Sequence, residues 1–454
     1  MSQDGGTSLI VTFVNICKLI FQIIWLIVRQ FLCNVIWQGT VKENKQQNEN
    51  IKDIVDLVKA QGYIVREYVV NTRDNYLLVL HKIEKPDKSN YSNNGKIAYF
   101  HHGLLTNSEL FVLGTSKEKN LPFLLLDLDY EVWLGNNRGN KYSRKHLTLS
   151  ASDIKFWDFS LDEYAYYDIP DTLNFIRSHY RPEDKITYIG FSQGCSQLFA
   201  SLSLHPDLNN YINLFVGLSP ALIPRDLNHP IFQLISSQAA KDNSFLYGIF
   251  GRRAILPSVT FWSHILGTDL YKRVVDKSLV YLFGWSGKNI SNDQKELGYP
   301  HMFSNSSVKS ITHWFQIIES KRFQMFDETG SLGLTKLSVL FDSSKAKGHR
   351  VTPFPVSHHL NIPMVLFYGD EDILVSIDST TNIILGSNEK MKNKLKLILC
   401  KGYEHMDTLW SNKVYEDVFS IVVNEMEQLH SREKKPIPYL EEWVNPINGS
   451  LKKP

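Results

Sequence analysis

Residues 185–200 read KITYIGFSQGCSQLFA, and the fold turns on this stretch. Ile186–Gly190 is a short β-type apolar run, Cys195–Ala200 begins a helical one, and Gly190-Phe191-Ser192-Gln193-Gly194 joins them. The pattern G-x-S-x-G arises by chance fairly often. A strand before it and a helix after it are the context its geometry demands. The chain must double back so sharply that a side chain at either flanking position would clash, hence glycine at both. The turn pushes the Ser192 hydroxyl out at the edge of a sheet.

Earlier in the chain, Lys42–Asn50 (KENKQQNEN) reads as a linker, and a short helix near Ile51–Ala60 ends at Gln61-Gly62. Val65–Val70 and Tyr76–Ile83 read as strands of a hairpin around residues 71–75. Ile97–His101 and Val132–Leu134 are further strands, followed by a helix over roughly Asp162–His179 that is broken by Pro182. After the Ser192 turn come a helix from about Gln193 to Leu204 and a strand at Leu214–Leu218. Strands alternating with helices imply a parallel sheet, and with the serine turn they imply the α/β-hydrolase fold. From Ile223 to about Ser344 regular strands give way to helical and aromatic segments. The organisation expected is a core at 49–221 and 351–432, a mainly helical cap inserted at 222–350, and a loosely ordered tail at 433–454.

Serine is a weak nucleophile at neutral pH and needs a base, which in turn needs an orienting carboxylate. In this fold the chain order is serine, acid, histidine. The strand Met364–Tyr368 runs into Gly369-Asp370-Glu371-Asp372, and Leu395–Leu399 runs into Gly402-Tyr403-Glu404-His405. His405 therefore occupies the loop after the last strand. His313, His358 and His359 precede the acid, and His430 lies beyond in a helix-end region. Among the acids Asp372 is preferred, with Asp370 and Asp378 left open by spacing alone. The oxyanion needs preorganised N–H donors. These are the Gln193 amide and an amide of His101-His102-Gly103-Leu104-Leu105, with Leu104 best placed. His102 reads as a loop-shaping residue and Asp158 as a loop anchor.

A net charge of +2 without blocks of like charge gives no electrostatic footprint for nucleic acid. Four scattered cysteines without a CxxC pair exclude zinc and redox motifs, argue against a disulfide framework, and favour a reducing, cytosol-facing location. No cofactor and no metal are expected. Leu9–Trp37 is overwhelmingly apolar, interrupted by Lys18 and Arg29. At helical periodicity Asn15, Lys18, Gln22 and Arg29 share one narrow stripe, as in a helix lying in a membrane interface. A span with snorkelling cations is the other anchoring reading. A cleaved secretory signal lacks its positive start and its small-residue cleavage site, and a buried core helix is the plain alternative. Residues 1–48 are thus expected to anchor the chain on a membrane or lipid droplet. Acceptor patterns for glycosylation at Asn90, Asn289, Asn305 and Asn448 do not settle topology.

His102-Gly103-Leu104-Leu105, Trp133–Asn140 (WLGNNRGN) and Phe156-Trp157-Asp158-Phe159-Ser160 resemble signatures of the acid lipases, gastric and lysosomal among them. Tyr63–Ile83 resembles that family's first hairpin. Residues 190–194 and Ser307–Gln316 look closest to the membrane-anchored fungal sterol esterases. The resemblance runs from about residue 50 to 425. It implies hydrolysis of steryl esters, and of triacylglycerols too, at lipid droplets or the endoplasmic reticulum membrane. It selects Asp372, through the family's Gly-x-x-Asp segment, and supports Ser192, His405 and the Leu104 and Gln193 amides. The sequence departs from it at Asp370, where relatives usually carry glycine. A second carboxylate near Asp372 works against ionisation of its neighbour, so the acidic optimum of the gastric and lysosomal members is not carried over. Serine at 192 disfavours relatives with an aspartate nucleophile, such as epoxide hydrolases. A triacylglycerol lipase and a catalytically silent membrane scaffold are the competing readings.

Overall fold

A computed structural model of the 454-residue chain describes residues 53–86, 95–225, 243–255, 259–328, 351–386 and 388–433. The expected anchor, its linker and all but the first residue of the expected tail lie outside the described residues. Among the described residues, no helix is long and apolar enough to cross a membrane.

The strands are β1 (Ile64–Asn71), β2 (Tyr76–Glu84), β3 (Ile97–His101), β4 (Glu131–Leu134), β5 (Lys145–His146), β6 (Ile186–Phe191) and β7 (Ile212–Leu218), with β8 (Ala254–Ile255), β9 (Ser306–Ser307), β10 (Met364–Gly369) and β11 (Leu395–Cys400) following. The main sheet has the order β1-β2-β4-β3-β6-β7-β10-β11, with β5 on the side of β2. β1 and β2 run antiparallel to their neighbours, and the six strands from β4 to β11 are parallel. The parallel strands β3, β4, β6, β7 and β10 are covered on both faces, as their alternation shows, while the edge strand β11 leaves Leu399 exposed. Phe100, Ile189, Phe191, Val216 and Phe367 join one core, while Tyr99, Tyr188, Phe215 and Leu366 join the other.

Helices α1 (Ile54–Ala60) and α2 (Leu121–Asp127) contribute to the first core, and α3 (Ile169–Arg177) and α4 (Gln193–Leu204) to the second. Asp53 caps α1, accepting from the Val55 amide at 2.9 Å. The helix expected over 162–179 is present as one helical run from Leu161 to Arg177, which opens at Leu161–Glu163 and passes through a π-type turn at Tyr164–Asp168 into α3. Pro170 has no N–H to give to the Tyr166 carbonyl, which accepts instead from the Arg73 guanidinium and from His205 Nε2.

Between β7 and β10 the longer described helices are α5 (Asn243–Phe250), α6 (Val259–Phe283), α7 (Asn292–Met302) and α8 (Val308–Ser320). α6 is interrupted at Gly267, whose φ is 71°. Strands do not vanish here entirely, because β8 and β9 form a two-residue antiparallel ladder. This segment docks on the loop that follows β3. Gln294 Nε2 donates to the Leu113 carbonyl at 2.7 Å, Asn107 Nδ2 to His301 O at 2.9 Å, and the Ser304 amide to Leu105 O at 2.7 Å. After it come α9 (Ile377–Leu385) and α10 (Ser420–Glu433). Because the central strands are parallel, the segments after β3, β4, β6, β7, β10 and β11 emerge at one edge.

Candidate active site

Ser192 stands at that edge as the residue between β6 and α4, with φ of 53° and ψ of −118°. This backbone is strained for any side chain, a feature concentrated at functional sites. The glycines around it are fixed by contact. A Cβ on Gly190 would meet the Cys195 nitrogen at 2.9 Å, one on Gly194 the His101 carbonyl oxygen at 2.2 Å, and one on Gly103 the Ser192 Cβ at 3.0 Å. The turn and the loop after β3 are therefore pressed together, which brings the segment that carries Leu104 up to Ser192. No hydrogen bond among the described residues occupies the amides of Leu104 or Gln193. At Gln193 that amide opens helix α4, where the helix dipole favours negative charge.

The loops after β10 and β11 meet Ser192 with a continuous hydrogen-bond chain. His405 Nε2 lies 2.8 Å from Ser192 Oγ, and His405 Nδ1 lies 2.7 Å from Asp372 Oδ2. A carboxylate only accepts, so Nδ1 carries the proton and Nε2 is free to accept from the hydroxyl. The other Asp372 oxygen accepts from the Leu374 amide at 2.8 Å. All three side chains are buried. Asp370 does not join them. It is exposed, its carboxylate accepts from the Gly402 amide at 2.5 Å, and its carbonyl accepts from Arg225. Asp378 lies in the first turn of α9.

The competing histidines are elsewhere. His313 is buried in α8, bonded to the Gln324 carbonyl at 2.8 Å, and burial pushes it down to about 4. His358 and His359 lie in a short helical turn, and His430 in α10 packs edge-on against Tyr130. His102 does shape its loop. Nε2 accepts from the Asn137 amide at 3.1 Å, so Nδ1 carries the proton that is given to Gly103 O at 2.8 Å. Burial pushes His102 down to about 3 and its stacked neighbour His101 to about 4. Both are neutral hydrogen-bonding units near pH 7. Asp158 accepts from Lys309 of α8 at 3.0 Å, as a loop anchor does.

The WLGNNRGN segment holds this scaffold from beneath. Asn137 Oδ1 accepts from His101 Nε2 at 2.8 Å and Gln197 Nε2 at 2.7 Å, joining β3, β4 and α4. Arg138, buried, spans Asp168 (Nε–Oδ1 2.8 Å) and Asp74 (Nη1–Oδ2 2.6 Å) while lying 3.9 Å over the Tyr76 ring. A second set of residues, which no motif marks in the sequence, surrounds His405. Ser219 Oγ donates to His405 O at 2.8 Å. Glu404, buried, accepts from the Ser286 amide (2.7 Å) and hydroxyl (2.9 Å) and from the Gly287 amide (2.8 Å). Asn289 Nδ2 donates to Gly402 O and to Asp407, whose carboxyl burial pushes up to about 6. These partners lie more than a hundred residues away, so no local pattern marks them. Asn289, one of the glycosylation matches, is committed to this packing.

The free cysteines among the described residues, Cys195 and Cys400, are buried, and burial raises both thiols. No cluster of potential metal ligands is present among the described residues.

The family model for the alpha/beta hydrolase fold matches residues 99–407, and that for the partial alpha/beta-hydrolase lipase region matches residues 54–115. The chain belongs to the lipase family of α/β-hydrolases. It is 40% identical over 380 residues to a probable lipase of Schizosaccharomyces pombe, across 83% of this chain and 80% of that one. It is 29% identical to human lysosomal acid lipase/cholesteryl ester hydrolase, covering 87% and 97% of the two chains. Rat gastric triacylglycerol lipase is likewise 29% identical, covering 84% and 93%. The resemblance to acid lipases read from the motifs stands, and this member of the family is an ester-hydrolysing enzyme.

Proposed function

We propose that this enzyme is a membrane- or lipid-droplet-bound lipase that hydrolyses steryl esters to sterol and fatty acid. The observation that carries the chemistry is the chain Ser192 Oγ–His405 Nε2–His405 Nδ1–Asp372, with contacts of 2.8 and 2.7 Å. Ser192 Oγ attacks the ester carbonyl carbon while its proton passes to His405 Nε2. Asp372 holds the imidazole in the required tautomer and favours the imidazolium. The Leu104 and Gln193 amides donate to the oxyanion. Collapse breaks the bond to the sterol oxygen, which takes the proton from His405. Water, deprotonated by His405, then attacks the acyl-enzyme, and the fatty acid leaves. No step calls for a metal or a cofactor.

The substrate class rests on the motifs at 190–194 and 307–316 that resemble sterol esterases, and on a relative whose name includes cholesteryl ester hydrolase. Triacylglycerol is the second reading, favoured by the equally similar gastric relative. Attachment rests on the apolar stretch Leu9–Trp37, and the buried free thiols support a catalytic part facing the cytosol at lipid droplets or the endoplasmic reticulum. The cap segment inserted between β7 and β10 is the part we assign to admitting the acyl chain and the bulky alcohol.

The test is turnover of cholesteryl oleate and triolein, side by side, by the full chain and by Ser192→Ala. Steryl-ester hydrolysis that vanishes in the variant supports both substrate and nucleophile. Cleavage of triolein alone would keep the mechanism and replace the substrate.

A further inference from the structure

Trp285, in the cap segment just after α6, lies flat against the imidazole of His405. Their ring centroids are 5.3 Å apart and their planes differ by 6°. Phe191 packs on the same imidazole at 5.2 Å, tilted by 50°. Trp285 is itself held from two sides. Phe283 stacks on it at 4.5 Å, and the residues that follow it, Ser286 and Gly287, are bonded to Glu404, the neighbour of His405. Asn289 extends this clamp to Gly402 and Asp407. The cap is thus fastened to the loop that carries the base, and the fastening ends in an aromatic face on the ring that must become cationic. The Trp285 indole N–H is buried without a hydrogen-bond partner among the described residues, so the ring face is what this side chain contributes to His405.

We propose that Trp285 is a positioning residue for the reaction. Its ring face fixes the plane of His405 and stabilises the imidazolium formed as Ser192 attacks, so that the cap completes the catalytic machinery and does more than cover it. The inference rests on reading Ser192, His405 and Asp372 as the triad. An aromatic face attracts a cation most strongly when both are desolvated, as these are. The other groups facing His405 are Asp372 at Nδ1 and Ser192 at Nε2. Glu404 and Asp407 turn to the cap amides and Asn289, and Lys288 pairs with Glu371 at the exposed rim.

The experiment uses the full chain with a soluble ester, p-nitrophenyl butyrate, so that membrane binding does not enter. Trp285→Leu removes the aromatic face, and Trp285→Phe keeps it while losing no hydrogen bond to the described protein. The expected result is a fall in kcat of about 3- to 30-fold in Trp285→Leu, with KM within twofold. The acid limb of kcat/KM moves down by about 0.5 to 1.5 pH units, because the neutral imidazole is no longer disfavoured against the cation. Trp285→Phe recovers most of both. Trp285→Met is measured alongside, in case leucine lowers the yield of folded protein. An unmoved acid limb, or a phenylalanine variant as impaired as leucine, overturns the proposal, since either leaves only a structural role. Ser192→Ala separates the two levels. If it retains full turnover the triad reading itself fails, whereas a dead Ser192→Ala beside an unaffected Trp285→Leu removes only this inference.

Discussion

Gly194→Ala sets two effects of opposite sign against each other. Gly194 lies in the first turn of α4, where alanine is the better helix former by about 1 kcal/mol, so propensity alone makes the change stabilising. Contact gives the reverse. The new Cβ would sit 2.2 Å from the His101 carbonyl oxygen and 2.9 Å from the oxygen of His102, where ordinary contact begins at 3.4 Å. Both partners are backbone, so neither can rotate away. Either α4 or the loop after β3 must retreat by about 1 Å, and that loop carries Gly103 against Ser192 and presents the Leu104 amide. A misplacement of this size at a reacting centre costs about 100-fold in rate, equivalent to about 2.7 kcal/mol of barrier. Overpacking costs about 1–3 kcal/mol of stability, which outweighs the propensity gain. Steady-state hydrolysis of p-nitrophenyl butyrate, with circular dichroism and thermal unfolding on the same samples, reads both. A folded Gly194→Ala enzyme with kcat within threefold of wild type would show that contact at this glycine does not govern the placement of the Leu104 amide.

Asp372→Asn should lower kcat by about 10⁴-fold while leaving the fold intact, because the imidazole loses the acceptor that fixes its tautomer; initial rates over a range of pH check this. Arg138→Met leaves Asp168 buried without its cation and should destabilise the enzyme by about 3–5 kcal/mol, read as a lowered unfolding temperature. His102 is depressed to about 3 by burial, below its unfolded value of about 6.5. The stability this represents is complete above pH 6.5 and is lost as pH falls toward 3. His102→Gln should therefore unfold less steeply with acid across that window than wild type does, and identical slopes would show that His102 carries none of the dependence.

The site was legible where chemistry constrains residues locally. The bend at Ser192 needs Gly190, Gly194, a strand and a helix within sixteen residues, and the order of acid and base along the chain then narrows the partners. Strand-end position alone did not separate Asp370 from Asp372. The family pattern did, and the structure turns one toward the Gly402 amide and the other toward His405. Helix α2 escaped notice because residues 121–128 (LPFLLLDL) are apolar on nearly every side and carry no period, leaving Pro122 in the first turn as the surviving signal. The helix expected at 162–179 is present, but apolar spacing carries no sign of its π-type turn at Tyr164–Asp168, for which Pro170 is the local signal. Trp285, Ser286 and Glu404 come together only through the docking of the cap, so their partnership has no signature within either segment.

In the mechanism proposed above, ester hydrolysis runs through one covalently acylated serine. The decisive measurement is to label the full chain with a fluorophosphonate and map the adduct by mass spectrometry, in wild type and Ser192→Ala. One equivalent of label on Ser192, absent from the variant together with its esterase activity, is the predicted result. Label on a different residue, or esterase activity that survives in Ser192→Ala, would contradict it.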